Sequence, residues 1–588
     1  MKITTVRTKT GAEVPIGKFT VLVGPNNVGK SQTLRDIHER LVSGPNAKCV
    51  ILDDVVVEKP ANFEDLLSGL QKHADPRHVG MHLVRGISSN LTSGDSVRVN
   101  LKDLKARFDK EDHLNFIFGN ISKFRVSYLD AESRLKVAKA AESHNPHTQP
   151  PTNLLQGLFG AQNDTEDILR EAFRDTFGMD VRLDYSGMKQ LMLRVADEFV
   201  EIPPDPRDAY PVFSKYAKLD DQGDGFRSFV GVVLSLLLSE GRVILLDEPE
   251  AFLHPAQSRQ LGMWIAAHAA SVPGQIVLAT HNASFLSGIL ASGHNVDIFR
   301  MNRFDDTTEY VRIPPEATAS LVSSPLLSSQ RVLEAIFFRG VIVCEADADR
   351  AIYQTVAANH LASQEAMFVH AHNKQSVPQV VSLLRAAHIP VAAIVDLDAF
   401  NSAADLKRLT EALAEKEIVE SIAAQREQLV EQLGTPPDEG ILASVRDGVA
   451  EFLAQLGRGE HTLSGARGAL NRLRKLASDW YDVKTKGVAG FPPEAAAVAN
   501  QLLADCRALG LFLVPCGELE SWIDLGTTRK NAWVVRALET LHAGECPAPL
   551  KAFVESVLAL LRKGNSEQSH AETTSETAPS AASEASDA

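Results

Sequence analysis

Cysteine is scarce in this chain of 588 residues: Cys49, Cys344, Cys506, Cys516 and Cys546 are scattered, and none forms a CxxC pair. That excludes a disulfide framework and a cysteine-built zinc site, and favours a reducing compartment. Long apolar runs are also missing. No stretch reaches the ~18–20 apolar residues of a membrane span, and the opening MKITTVRTKTGAEV lacks an apolar leader core. A cytoplasmic protein without a membrane partner is therefore expected. Positive charge is in deficit, with a formal net charge of −15. Indiscriminate clinging to nucleic acid is disfavoured, although a local basic groove is not. Large apolar residues are nearly absent from the last stretch, NSEQSHAETTSETAPSAASEASDA, which holds five acids and no Lys or Arg. Such a segment cannot bury enough surface to order itself, and a disordered acidic tail over 564–588 is expected.

What remains has an ordinary globular composition, 44% hydrophobic and 23% charged, in a chain long enough for three or four domains. Near its start, FTVLVGPNNVGKSQTL sets an apolar strand before GxxxxGK[ST] and a helix. Gly24, Asn26, Asn27 and Gly29 would curl backbone amides around phosphate. Lys30 would reach the β/γ-phosphates of ATP, and Ser31 would hold Mg²⁺. Further on, RVILLDEPEAFLHP ends an apolar strand in Asp247, a magnesium ligand by position, and Glu248, placed to polarise the attacking water. The strand in QIVLATH ends near His281, which could sense the γ-phosphate or simply cap the strand.

EPEAFLHP and ATHNASFL resemble segments of the ABC-type ATPase heads of the SMC and RecF group. That resemblance implies a signature segment in QGDGFRSFVGVVLSLL, where Gly223, Gly225 and Ser228 would touch the γ-phosphate held by a second head. The usual LSGGQ-like string is absent, and a helix cap is the competing reading. Such heads complete their ATP sites in pairs, so one P-loop per chain implies a homodimer or higher oligomer. The stretch FRVSYLDAESRL, 125–136, carries no decisive pattern, and no Q-loop residue stands out.

The second half brings VIVCEADADR, then a helix, and then IPVAAIVDLDAF. Strands alternating with helices imply a parallel sheet whose ligands sit at the strands' carboxyl ends. Glu345, Asp349, Asp396 and Asp398 would gather there and repel by several kcal/mol at an effective ε of ~20. Divalent metal relieves that repulsion, and all-oxygen ligation favours Mg²⁺ or Mn²⁺. The E…D plus DxD pattern resembles the TOPRIM domain of topoisomerases, primases and certain nucleases. GELESW, containing Glu518 and Glu520, resembles the late acidic motif of the overcoming-lysogenization-defect (OLD) nucleases. Ala346 stands where a glycine commonly follows the glutamate, and Asp347 is an added acid in that turn.

The resemblance implies an α/β architecture: an ABC-type P-loop ATPase head over 1–315, with 137–210 as an inserted, dimerising region. A linker over 316–339 leads to a TOPRIM domain split between 340–400 and 509–563 by a helical insertion over 401–508. It further implies that Glu345, Asp349, Asp396, Asp398 and Glu520 bind two metals. Lys374 would stand by that site, and Lys530 would stabilise charge on the scissile phosphate. Arg467, Arg472, Arg474, Lys475, Lys484 and Lys486 of the insertion would follow a phosphate backbone or form a solvated face. The implied activity is an ATP-controlled endonuclease acting on nucleic acid, DNA ahead of RNA, in anti-phage defence with a separately encoded partner. A noncatalytic repair or sensor ATPase, and a TOPRIM primase or topoisomerase, are the alternatives. None of the seven tyrosines sits in a recognisable strand-passage domain.

Overall fold

The computed structural model describes residues 1–110, 121–161, 163–304, 307–317, 332–433, 438–458, 462–476, 483, 486–526 and 530–572. It divides into Met1–Ser323 and Ser324–Ala588.

In the first unit, strand β1 (Phe19–Val23) runs into helix α1 (Lys30–Ser43). Later come β2 (Val126–Leu129), α2 (Ala131–Val137), α3 (Asn163–Phe177) and α4 (Asp224–Leu237). After them follow β3 (Val243–Asp247), α5 (Pro255–His268), β4 (Gln275–Ala279), β5 (Asp297–Phe304) and β6 (Thr307–Arg312). One six-stranded sheet has the order β6-β5-β1-β4-β3-β2, parallel except for the β5–β6 pair. Every residue of β1, β3 and β4 is buried, as expected of parallel strands covered on both faces. Their register sets Asp247 beside Ala279, and Ala279 beside Leu22. The phosphate loop and the acidic pair therefore leave the same edge.

The stretch expected as an insertion, 137–210, is packed into this unit. Phe173 and Phe177 of α3 meet Phe226 of α4 at ring distances of 5.2 and 4.5 Å. The strands Asp180–Asp184 and Gln190–Ala196 pair beside them.

The second unit opens with a 3-10 turn, Val332–Phe337, that fully buries Ala335 and Ile336. The end of the expected linker thus belongs to the folded unit, because apolar residues there have a core to enter. Residues 318–331 lie outside the described residues. Strand β7 (Gly340–Cys344), helix α6 (Asp347–His360), β8 (Ala366–His370), α7 (Val377–Ala386) and β9 (Val391–Val395) follow. Among the described residues, five helices come next: α8 (Ala403–Glu411), α9 (Lys416–Leu433), α10 (Asp438–Gly457), α11 (Leu463–Leu476) and α12 (Pro493–Ala508). Strand β10 (Leu511–Leu513) then returns to the sheet, followed by α13 (Lys530–His542) and α14 (Ala548–Glu572).

This sheet is wholly parallel, in the order β8-β7-β9-β10. The chain steps from β7 to one side and then returns to the other, so the topological switch point falls between β7 and β9. Helices α6, α13 and α14 close one face around Tyr353, Trp533 and Phe553. Helix α14 runs to Glu572, past the point where disorder was expected; its apolar residues through Leu561 are anchored in that core. Residues 573–588 lie outside the described residues.

In the first unit, one carboxylate organises the segment leading into the strand Leu52–Glu58. Asp36 of α1 is 1% exposed, and its Oδ2 accepts from the amides of Val50, Ile51 and Leu52 at 2.9, 2.6 and 3.0 Å. Replacing it strands three donors in or near the core. Asp36→Ala is expected to destabilise this unit by about 3 kcal/mol, seen as an earlier transition in a thermal melt.

Candidate active sites

The phosphate loop is a backbone device. Gly24 has φ 138°, and a Cβ there would stand 2.4 Å from the Met301 carbonyl oxygen, so only glycine fits. Asn27 (φ 65°) and Gly29 (φ 102°) complete the curl that opens amides to an anion. Lys30, 7% exposed, donates to the carbonyls of Gly24 and Pro25, both at 2.8 Å. Burial lowers its pKa to about 8, against the pull of Glu248, Asp247 and Glu250. Ser31 donates to Asp247 Oδ1 at 2.8 Å, bringing the two expected magnesium ligands together.

Three residues to which the motifs assign no role shape this site. Tyr128 donates to Asp247 Oδ2 at 2.9 Å and accepts from Arg35 at 3.1 Å. Arg134 is wholly buried; it donates to the carbonyls of Leu129, Asp247 and Glu248 and to Ser228 Oγ. Glu250, 4% exposed, accepts from Thr280 at 2.6 Å, and its other oxygen has no hydrogen-bond partner. Burial pushes its acid up to about 7. A polar residue inside a strand-ending segment was the available signal for Tyr128; nothing local marks Arg134.

Glu248 has φ 50°, a costly conformation for a non-glycine residue that aims its side chain off the strand end. His281 Nδ1 lies 2.7 Å from Glu248 Oε1. Their pairing lowers the glutamate's pKa and raises the histidine's.

The signature assignment divides. Gly223 caps α4 and Gly225 follows within its first turn, pressed 2.9 Å from the Phe252 carbonyl by the measure of an added Cβ. Ser228 is fully buried on Arg134, so its hydroxyl faces into its own head and away from a partner's phosphate.

In the second unit, the expected acids follow the carboxyl ends of β7, β9 and β10. Glu345 follows β7 directly. Its carboxylate accepts from the Asp396 amide, while Oε2 is buried without a hydrogen-bond partner. Burial, then Asp398, and less strongly Asp349, raise its pKa; Lys374 opposes them. Lys374 leaves the turn after β8 and reaches Asp398 Oδ1 at 2.8 Å, crossing the end of β7. Asp349, 7% exposed, accepts from the Ala346 amide at 2.8 Å and closes the turn that carries Glu345. Glu518 and Glu520 sit in the turn after β10, tied to the β9 turn by the Leu397 amide on the Gly517 carbonyl at 3.0 Å.

Asp347 is directed elsewhere, to Arg350 at 2.7 Å and His370 at 3.5 Å. The side chain of Lys530 lies outside the described residues, as do those of Arg472, Arg474, Lys475 and Lys484; Arg467 and Lys486 are exposed.

Does this edge suit a divalent cation? Its donors are oxygens, and a buried carboxylate oxygen lacks a partner, which is the chemistry a hard cation satisfies. Yet among the described residues no three His, Cys, Asp or Glu form a ready cluster. The Lys374 ammonium supplies the positive charge instead. The donor set fits; the final convergence is not preassembled.

Comparison with known proteins matches two segments. Residues 152–287 match the AAA_21 family (AAA domain), and 336–398 match the overcoming lysogenization defect protein-like TOPRIM domain. No curated protein matches the chain. Among solved structures, the SMC head domain from Thermotoga maritima is 14% identical, with 53% of this chain and 100% of that one covered, at TM-score 0.27. An Smc head with extended coiled coil from Pyrococcus furiosus, bound to the C-terminal domain of ScpA, is 13% identical over 55% and 98%, at TM-score 0.30. Scores this low support no argument. The chain thus carries an AAA-type ATPase segment followed by an OLD-like TOPRIM segment, and this order matches that of an OLD-type fusion of a P-loop ATPase and a TOPRIM domain.

Proposed function

We propose that this protein is an ATP-regulated, divalent-metal-dependent endonuclease acting on nucleic acid, DNA foremost. The observation that carries the reading is the buried, unpartnered Glu345 oxygen at the switch point, beside Asp398 and Asp349 and faced by Lys374. Two metals held by Glu345, Asp349, Asp396, Asp398 and Glu520 would supply Lewis-acid charge and an activated water. The protein's own groups prepare that site. Asp349 fixes the turn that aims Glu345, and the Asp396 amide holds one Glu345 oxygen. Lys374 keeps the acids compatible before substrate arrives, and its ammonium suits a non-bridging phosphate oxygen. Lys530 remains a candidate for the same task.

In the head, Lys30 and the loop amides would grip ATP, Ser31 and Asp247 would hold its magnesium, and Glu248 would accept the water's proton. His281 keeps Glu248 unprotonated and oriented. The N-cap of α4 exposes Gly223, with Gly225 half-buried in the turn that follows, and this end of the helix supports nucleotide-dependent pairing of heads in a homodimer. A cytoplasmic anti-phage role with a separately encoded partner is the setting the family likeness favours.

The two chemistries separate by mutation. Glu345→Ala or Asp398→Ala is expected to abolish Mn²⁺-dependent nicking of supercoiled plasmid while ATP turnover stays within about twofold. Glu248→Gln should reduce turnover about 100-fold or more. Persistent nicking by both acidic-edge variants would remove the nuclease assignment.

Lys30 gives a pH test. Phosphate binding favours the ammonium, whereas burial in the free protein has lowered its pKa to about 8. Above that pH, binding must take up a proton, so affinity falls as pH rises. Fluorescent ATP titrations should show about a fivefold loss between pH 8 and 9. Lys30→Arg, charged throughout, should give a flat profile.

A further inference from the structure

The turn after β7 serves two places. Glu345 faces the switch point, but Asp347 lines a separate groove of about 410 Å³ along β8, on the side of β7 opposite β9. Its apolar wall is Phe338, Met367 and Phe368. Its polar rim is Asp347, Arg350 and Gln354 of α6, with His370 at the end of β8 and Glu334 across from them. Arg350 organises that rim, donating from Nε to Asp347 Oδ1 and from Nη1 to Gln354 Oε1, both at 2.7 Å.

Charge and shape decide what fits. Among the described lining residues the one arginine is already paired with Asp347, so a phosphate would compete with a carboxylate for it. An apolar wall facing mixed donors and acceptors is what the face and edge of a nucleobase require. The position is equally specific. Asp347 is two residues from Glu345, at most ~7 Å along the chain, so an occupant would belong to the strand held at the acidic edge.

We propose that this groove holds one unstacked nucleobase of the substrate strand, adjacent to the phosphodiester at the Glu345 edge. The proposal rests on the nuclease reading for its substrate and adds a base subsite that the acids themselves do not provide. Asp347 and Gln354 are then specificity-determining residues that touch the base, and Arg350 positions both.

Two measurements test it on the full chain. In EDTA, fluorescence anisotropy compares a short single-stranded DNA of mixed sequence with a strand of equal length in which every base is replaced by an abasic site. The phosphates are the same, so the wild type should prefer the base-bearing strand by about tenfold. Asp347→Asn and Gln354→Ala, both at solvent-exposed side chains, should lose most of that preference. Equal affinity for the two strands, or a preference unchanged in both variants, overturns the subsite. Separately, sequencing the ends cut by Mn²⁺-loaded protein in a plasmid with a randomised window should show a base bias at one position flanking the cut. Both variants should flatten that bias when the ends are compared at matched extents of cutting. Cutting without bias, or with bias intact in the variants, also overturns the subsite while leaving the nuclease reading standing. If the wild type does not cut at all, the nuclease reading fails and the abasic comparison alone decides the groove.

Discussion

A parallel strand covered on both faces can carry charge only where it ends. That constraint organises both units. β3 is apolar from Val243 to Leu246 and then delivers Asp247; β7 is apolar from Gly340 to Cys344 and then delivers Glu345. Because parallel neighbours run in register, their carboxyl ends align, and charges separated by many residues in sequence meet at one edge. Helices begin at the same edge, bringing amides that favour anions. Each functional edge is therefore a by-product of burying the sheet.

Gathering acids has a cost, and the two units offset it differently. In the head, Lys30 stays close to Asp247, Glu248 and Glu250 while bonded to loop carbonyls, and Arg134 neutralises the carbonyl ends from beneath. In the second unit, Lys374 reaches over β7 to Asp398. Each lysine is thus held by the protein's own carbonyl or carboxylate oxygens. Strain is local to the same edge: Glu248 takes a left-handed backbone conformation directly after its strand.

The turn 345–349 shows how little chain can serve several purposes. Glu345 faces β9, Asp347 faces the β8 groove through Arg350 and His370, and Asp349 folds back to bind the Ala346 amide. Alternate residues at the start of a helix point in different directions, which separates three acids that look equivalent in sequence.

The sequence alone determined the central strands β1, β3, β4, β7 and β9, the phosphate loop, and the acids at strand ends, because unbroken apolar runs followed by charge have few other physical solutions. The order of an ATPase head and a TOPRIM domain was legible only through the resemblance of those motifs to known families. Tertiary structure decided what depends on direction and distance. Ser228 was expected at a surface, but its helix turns it inward to Arg134. Asp347 belongs to a groove and not to the acidic set, Lys374 finds Asp398 across an intervening strand, and Tyr128 and Arg134 reach Asp247 from a segment with no motif. These pairings join residues from about 24 to 119 positions apart, and no local pattern encodes a distance that only the packed sheet creates.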